Sequence, residues 1–292
     1  MRPPFTWNIG QGRLELGKRT LVMAVLNVTP DSFSDGGRYF EPGAAVERGL
    51  HLLADGADIL DIGGESTRPG ALAGDQPAVS AEEELRRVLP VIDGIKRRQP
   101  DAIISIDTYK AQVARAAVQR GATIVNDISG LGWDPAMART VAELDCGVVL
   151  MHTRGRPQDW RKLPPLEDVV GTVKSELAGI AARAGASGIG KERIVLDPGF
   201  GFGKILDQNY PMLTRFAEFG ELGYPLLVGV SRKSFIRKLT ERPGSALEPG
   251  QRVIGSVAAA VVCVLRGAHI VRAHDVAETV QAMAVVDTVS AP

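Results

Sequence analysis

Each of eight apolar runs in this chain ends beside residues that can do chemistry. Asn27 follows LVMAVL, Asp61 lies in ADILDIG, Asp107 follows AIISI, and Asn126 stands near the end of ATIVND. His152 follows GVVLM, Asp197 follows RIVL, Ser231-Arg232-Lys233 follows PLLVGV, and Arg272 and His274 close AHIVRAH. Singly, each has an ordinary explanation: Asp61 can cap a turn, and Asn126-Asp127 can open a loop by bonding nearby backbone. Together, at one recurring place, they point to a site.

The residues sort into two chemistries. Carboxylates accept hydrogen bonds, and amides both donate and accept. Asp107, Asn126 and Asp197, with the cation Lys233, therefore suit a flat heterocycle with an amino-pyrimidine edge rich in N–H donors. Asn27, Arg68, Arg272 and His274 supply neutral oxygen and positive charge. Arginine matches phosphate bidentately. Asn27 can give an oxygen to Mg²⁺, which keeps several waters and leans on substrate phosphates. The combined set fits a heterocycle carrying a phosphate or diphosphate.

The stretch VLDPGFGFGK (195–204) tempts a phosphate-loop reading. That loop needs a Gly five residues before its Gly-Lys pair and a Ser or Thr after it. Here those places hold Pro198 and Ile205, so Asp197 is instead read as an acceptor for the ligand's N–H edge. The glycines then let the following loop pass close to the ligand.

The elements that must position these residues follow from periodicity. The eight runs are nearly continuous in Val, Ile and Leu, as parallel strands covered on both faces are. Between them lie segments of helical spacing, such as 81–98 and 111–121, the latter closed by Gly121. Eight strand–helix units predict a (β/α)₈ TIM barrel, with a doubly wound open sheet as the alternative. In a barrel the C-terminal strand ends converge on one mouth, where such enzymes place their catalytic groups. FTWNI-GQG-RLEL at the start reads as an N-terminal β-hairpin covering the barrel bottom. Residues 67–80 and 240–251 read as loops. No linker divides residues 1–292, which are expected to form a single domain.

Composition narrows the classes. The 292 residues carry 34 basic and 34 acidic side chains, so no global field attracts nucleic acid or an anionic membrane. Cys146 and Cys263 form no metal motif, and a reduced cytoplasmic protein is expected. The opening residues lack the apolar core of a secretion signal. The apolar stretch Val253–Leu265 is too short to span a bilayer and reads as a helix. Its small residues make it either a dimer surface or part of the buried helical layer.

NVTPDSFSDGG (27–37), DIGGESTRPG (61–70), SIDTYK (105–110), IVNDISG (124–130), LMHTRG (150–155), LDPGFGFGK (196–204), GVSRKS (229–234) and VRAHDV (271–276) resemble, in order, motifs of the dihydropteroate synthase family. The resemblance runs from about Leu21 to Val286. It implies a pterin-binding, usually homodimeric TIM-barrel transferase of folate biosynthesis, the sulfonamide target, using Mg²⁺. The family condenses 6-hydroxymethyl-7,8-dihydropterin diphosphate with p-aminobenzoate, giving 7,8-dihydropteroate and pyrophosphate. It further implies that Asp107, Asn126, Asp197 and Lys233 hold the pterin, with Met151 beside them. Asn27 would reach the metal, and Arg68, Arg272 and His274 the diphosphate. Thr67, Pro69, Ser234, Phe33 and Phe202 would frame the p-aminobenzoate pocket. Lys233, Arg68, Asp107 and Asp197 are the catalytic candidates, while His51, His152 and His269 are assigned structural roles. Two alternatives stand beside this reading: a pterin-dependent methyltransferase, which needs no diphosphate clamp, and a catalytically silent pterin-binding barrel.

Overall fold

A computed structural model describes residues 2–29, 42–66, 72–73, 79–240 and 247–290. Strands β1 (Phe5–Ile9) and β2 (Gly12–Leu16) form an antiparallel hairpin with Trp7 opposite Leu14. Eight parallel strands follow: β3 (Leu21–Asn27), β4 (Ile59–Gly63), β5 (Ile103–Asp107), β6 (Ile124–Asp127), β7 (Gly147–Met151), β8 (Ile194–Asp197), β9 (Leu227–Val228) and β10 (Ile270–Ala273). Their spatial order is β8-β7-β6-β5-β4-β3-β10-β9. A parallel bridge between Leu196 and Leu226 joins the ends, with Leu196 N donating to Pro225 O at 3.0 Å. The strands therefore form a nearly closed barrel rather than the open sheet.

Helices alternate with the strands and wrap them: α1 (Pro42–Ala54), α2 (Ala81–Arg98), α3 (Ala111–Gln119), α4 (Met137–Glu143), α5 (Val169–Ala186), α6 (Asn209–Thr214), α7 (Ser234–Thr240), α8 (Val253–Leu265) and α9 (Val276–Ser290). Helix α2 shows why they form where they do. Ser80 caps it by accepting from Glu83 N, Glu82–Glu84 fill its first turn, and Lys96–Arg98 fill its last. Both charge groups complement the helix dipole. Of the loops expected at 67–80 and 240–251, residues 67–71, 74–78 and 241–246 lie outside the described residues.

The hairpin fills the barrel bottom. Trp7, Ile9 and Leu16 pack with Leu21, Met23, Ile59, Ile124, Val149, Val195, Leu227 and Ile270 in one buried cluster. The Trp7 indole N–H reaches the Arg193 carbonyl at 2.8 Å, so its one polar atom is satisfied. Helix α8 buries Ser256, Ala259, Ala260, Cys263 and Val264, whereas Ile254 stays 86% exposed. No helix among the described residues is long and apolar enough to cross a membrane.

Candidate active site

The barrel register sets the site. Asn27, Gly63, Asp107 and Asn126 are successive cross-strand partners on β3, β4, β5 and β6, forming one row at the mouth. Met151 and Asp197 are likewise partners on β7 and β8. Side chains two residues apart on a strand share a face, so Asp61 and Arg272 lie one layer deeper, above Ile59 and Ile270.

Asp61 is fully buried, and it joins the set together. Its Oδ2 accepts from Arg272 Nε at 2.6 Å and from Asn126 Nδ2 at 2.9 Å. The other arm of Arg272 donates to Asp107 Oδ2 at 2.7 Å. Asp61, Asp107, Asn126 and Arg272 thus form one network across four strands. Burial works against the Arg272 charge, yet Asp61 and Asp107 carry the guanidinium above its usual range. Burial lifts the Asp107 carboxyl to about 7; Arg272 opposes this and Asp61 reinforces it.

Asp197 stands across the barrel. Its Oδ1 accepts from Gly199 N at 2.7 Å, a turn that fixes the carboxylate. Burial raises its pKa, against the Gly199 N–H and then Lys233. Lys233 is lowered to about 8 by burial and Arg272, despite Asp197 and Asp107. Its Nζ lies 4.0 Å from the centroid of Phe202, whose ring meets Trp160 edge-to-face. Ser234, the first residue of α7, is exposed next to Lys233 in the chain.

The loop after Asp197 answers its own puzzle. Gly199, Gly201 and Gly203 all have left-handed backbone. A Cβ on Gly199 would stand 2.0 Å from the His152 carbonyl oxygen, so only glycine fits there. The close approach is thus to the backbone after β7. Lys204 seals it: its buried ammonium donates to the carbonyls of His152, Gly199 and Phe202 at 3.1, 2.7 and 3.2 Å. A lysine that resembles a phosphate ligand instead closes a loop. The signal for it was an ammonium in an otherwise apolar and Gly-rich run.

At the β9 end, Arg232 adopts a left-handed backbone (φ +60°), a conformation costing about 1–3 kcal/mol. Its guanidinium turns to Asp275 at 3.0 and 2.5 Å, and its N–H reaches Ser256 Oγ at 2.8 Å. Arg232 is thereby a structural residue between Ser231 and Lys233. Ser231 Oγ meets His274 Nδ1 at 3.0 Å and accepts from His274 N at 3.2 Å. Burial, then Arg272, Arg232 and Lys233, lower His274 to about 3. Burial and these three cations thus favour the neutral imidazole at His274. His152 sits outside the barrel wall with Nε2 2.7 Å from Glu176, and His269 hydrogen-bonds Leu226 N and Pro3 O.

Phe33, Thr67, Arg68 and Pro69 lie outside the described residues. Sequence reasoning placed Asp61 among the strand-end residues, with turn-capping as its ordinary explanation, but gave it no binding role and missed its hold on Arg272 and Asn126. The available signal was a carboxylate in the middle of ILDIG, all five of whose residues are buried.

The sequence profile of the pterin binding enzymes matches residues 23–274. Dihydropteroate synthase of Escherichia coli (strain K12) is 47% identical over 266 residues, covering 91% of this chain and 90% of that protein. That of Mycobacterium leprae is 44% identical over 270 residues, covering 91% and 92%. A solved structure of the Xanthomonas albilineans enzyme with 4-aminobenzoic acid superposes over 100% of both chains, with TM-score 0.88 and 45% identity. A second, in complex with 7,8-dihydropteroate, has TM-score 0.84 and 43% identity and covers 99% of this chain and 100% of that one. This chain therefore belongs to the pterin binding enzyme family. Within that family it falls among the dihydropteroate synthases.

Proposed function

We infer that this chain is a transferase that condenses 6-hydroxymethyl-7,8-dihydropterin diphosphate with p-aminobenzoate, forming 7,8-dihydropteroate and releasing pyrophosphate. The observation that carries the reading is the set of hydrogen-bond acceptors at the barrel mouth. Asp107, Asp197 and Asn126 face the barrel axis and are braced by Arg272, Lys233 and Asp61. Such a set accepts from the pterin's N–H edge and holds the ring still. Departure of the diphosphate leaves positive charge on the pterin methylene, which the neighbouring carboxylates stabilise electrostatically. The arylamine attacks as a neutral nucleophile, so no strong base is required. Phe202, beside Lys233, supports an aromatic second substrate, and Ser234 follows Lys233 in the chain. Thr67, Pro69 and Phe33 are assigned to the same pocket, and Arg68 to the leaving group. Arg272 keeps further N–H donors for the diphosphate, and the neutral His274 offers one polar contact.

The donor chemistry suits Mg²⁺. Asn27 brings a half-buried neutral amide to the mouth row, and among the described residues no group of three or more His, Cys, Asp or Glu could cage an ion. That is the pattern of a hard cation held mainly by substrate phosphate and water. When bound, Mg²⁺ supplies charge neutralisation of the leaving diphosphate. Exhaustive chelation is expected to abolish turnover, and Mg²⁺ to restore it.

The exposed apolar side chains Ile254 and Leu265 of α8, with Val285 and Val289 of α9, support a homodimer built on this helical pair. A cytoplasmic location agrees with both buried thiols being free. The function is tested by pyrophosphate release that requires both substrates. Release without p-aminobenzoate would favour a hydrolase, and no release with both substrates present would favour the silent barrel.

A further inference from the structure

The Lys233 ammonium enters the mouth without an ion pair. Among the described residues no carboxylate oxygen lies within salt-bridge distance of it, although charged and titratable groups surround it. Arg272, Asp197 and Asp107 act on it from β10, β8 and β5, and it in turn helps to depress His274 and Lys204. Burial and Arg272 draw its proton away, and Asp197 and Asp107 only partly restore it. The contact it does make is the face of Phe202, whose ring centre is 4.0 Å from Nζ. A cation out of water gains most from such a face, because solvent competes little for the charge.

Phe202 stands half-buried in a Gly-rich loop, and two contacts fix it. Lys204 donates to its carbonyl at 3.2 Å. Trp160 meets its ring, with centroids 5.0 Å apart and planes at 76°, the edge-to-face geometry that aromatic pairs prefer. Trp160 is 5% exposed and opens a single 3₁₀ turn, Trp160–Lys162, between β7 and α5. Its Nε1 is buried with no hydrogen-bond partner, unlike that of Trp7. A buried indole usually satisfies its N–H, so this side chain is placed by packing, and the ring it meets is that of Phe202. The loop that carries it is anchored as well. Arg154 donates to the carbonyls of Pro164 and Gly203 at 2.9 and 3.2 Å. A Cβ on Gly203 would lie 2.6 Å from Arg154 Cβ and 3.1 Å from Trp160 Cδ1, so the loops after β7 and β8 touch directly.

We propose that Phe202, backed by Trp160, is a positioning residue for Lys233: the aromatic pair holds the ammonium at the barrel mouth, where no carboxylate does. Lys233 thereby keeps a fixed place beside Asp197 and Asp107 without neutralising either of them in a direct pair, and both carboxylates stay open to a ligand. The use of that arrangement in binding the pterin rests on the synthase reading; the arrangement itself does not.

The test titrates Lys233 in the substrate-free chain, from the NMR signal of its Cε in isotope-labelled protein, assigned by the loss of that signal in Lys233→Arg. It compares Phe202→Leu, Trp160→Leu and Trp160→Phe, with a melting temperature for each. Losing a desolvated cation–π contact shifts such an equilibrium by about tenfold or more. The Lys233 midpoint, at about 8 in the parent, should therefore fall by about one pH unit in Phe202→Leu and move the same way in Trp160→Leu. Trp160→Phe keeps an aromatic partner for Phe202 and should hold the parent midpoint even as its melting temperature falls. Melting temperatures that drop while the midpoint stays put, or a midpoint in Trp160→Phe as low as in Trp160→Leu, would make the pair mere packing and overturn the proposal. Where Trp160→Leu fails to fold, Phe202→Leu decides: a lowered midpoint supports the proposal and an unmoved one overturns it. An unsubstituted chain that forms no dihydropteroate would overturn the synthase reading, while the midpoint, read without substrate, still decides this one.

Discussion

The two ends of one barrel differ by two residues per strand. At the bottom, Ile59, Ile124, Val149, Val195 and Ile270 meet the hairpin in a dry cluster. Two positions further along the same strands stand Asp61, Asn126, Met151, Asp197 and Arg272. Strand periodicity puts each pair on the same inner face, so stability and chemistry are stacked along the barrel axis. The bottom has apolar packing and one satisfied indole. The mouth holds the buried carboxylates of Asp61 and Asp197 and the half-buried one of Asp107 against one guanidinium and one ammonium, an arrangement expensive to desolvate without a ligand. Changes at the bottom should therefore cost stability and spare the chemistry, and changes at the mouth should do the reverse.

The largest effect is expected at the bottom. Trp7 is fully buried under the barrel, and truncating a buried Trp costs about 3–5 kcal/mol. Trp7→Ala should lower the melting temperature strongly, while kcat/KM per folded molecule is unchanged. A kinetic defect in the folded fraction would break the division between the two ends.

Asp197→Asn tests the opposite end. It keeps the shape and the acceptor for Gly199 N, but it places a donor against the pterin's donors. A mismatched buried polar pair costs roughly 1–3 kcal/mol, so pterin diphosphate affinity should fall by about tenfold or more. Burial already holds this carboxyl above its usual range, so the melting temperature should stay equal or rise. Unaltered affinity with a lowered melting temperature, measured by calorimetric titration beside a melting curve, would make Asp197 a turn residue only.

The same division explains what could be read before the fold was seen. Strand β3 and helices α2 and α8 match their expected spans, because long periodic runs carry their own signal. The run at 225–230 shortens to Leu227–Val228, since β9 lies at the barrel seam, where only a bridge joins Leu226 to Leu196. At the site, the residue types and their strand-end positions were legible. What was not legible is partnership across the barrel. Nothing near Asp61 in sequence says that it grips Arg272, 211 residues away. Likewise, nothing local distinguishes Lys204 as a backbone clamp from Lys233 as a mouth cation. Burial and the surrounding charges decide both, and these arise only on closure.

A smaller, pH-dependent effect follows from Asp107. Its folded carboxyl is raised to about 7, whereas an unfolded Asp titrates near about 4. Between those values the folded chain binds a proton that the unfolded chain has released. This group therefore adds stability as pH falls through that window and loses it as pH rises through 7. Asp107→Asn should raise the melting temperature relative to the parent more at pH 8 than at pH 5. Because the ionised carboxylate is the acceptor, kcat/KM for pterin diphosphate should carry an acid limb near pH 7 that the variant lacks. Parallel stability curves for the two proteins would remove Asp107 from this role.

The smallest effect belongs to His274, and it sharpens the comparison within the mouth. Arg272 is a permanent cation held by two carboxylates, whereas His274, lowered to about 3, stays neutral above that pH. A neutral hydrogen bond contributes about 0.5–1.5 kcal/mol, against roughly 1.5–3 for a charged one. His274→Ala should therefore weaken pterin diphosphate binding only severalfold. His274→Gln, which keeps a donor at similar reach, should recover most of the loss. The ratio of parent to variant affinity should be flat between pH 5 and 8, because no proton enters or leaves this ring in that range. A ratio that climbs as pH falls through 6, with no rescue by glutamine, would show that the bound diphosphate charges the imidazole and that His274 acts as a cation after all.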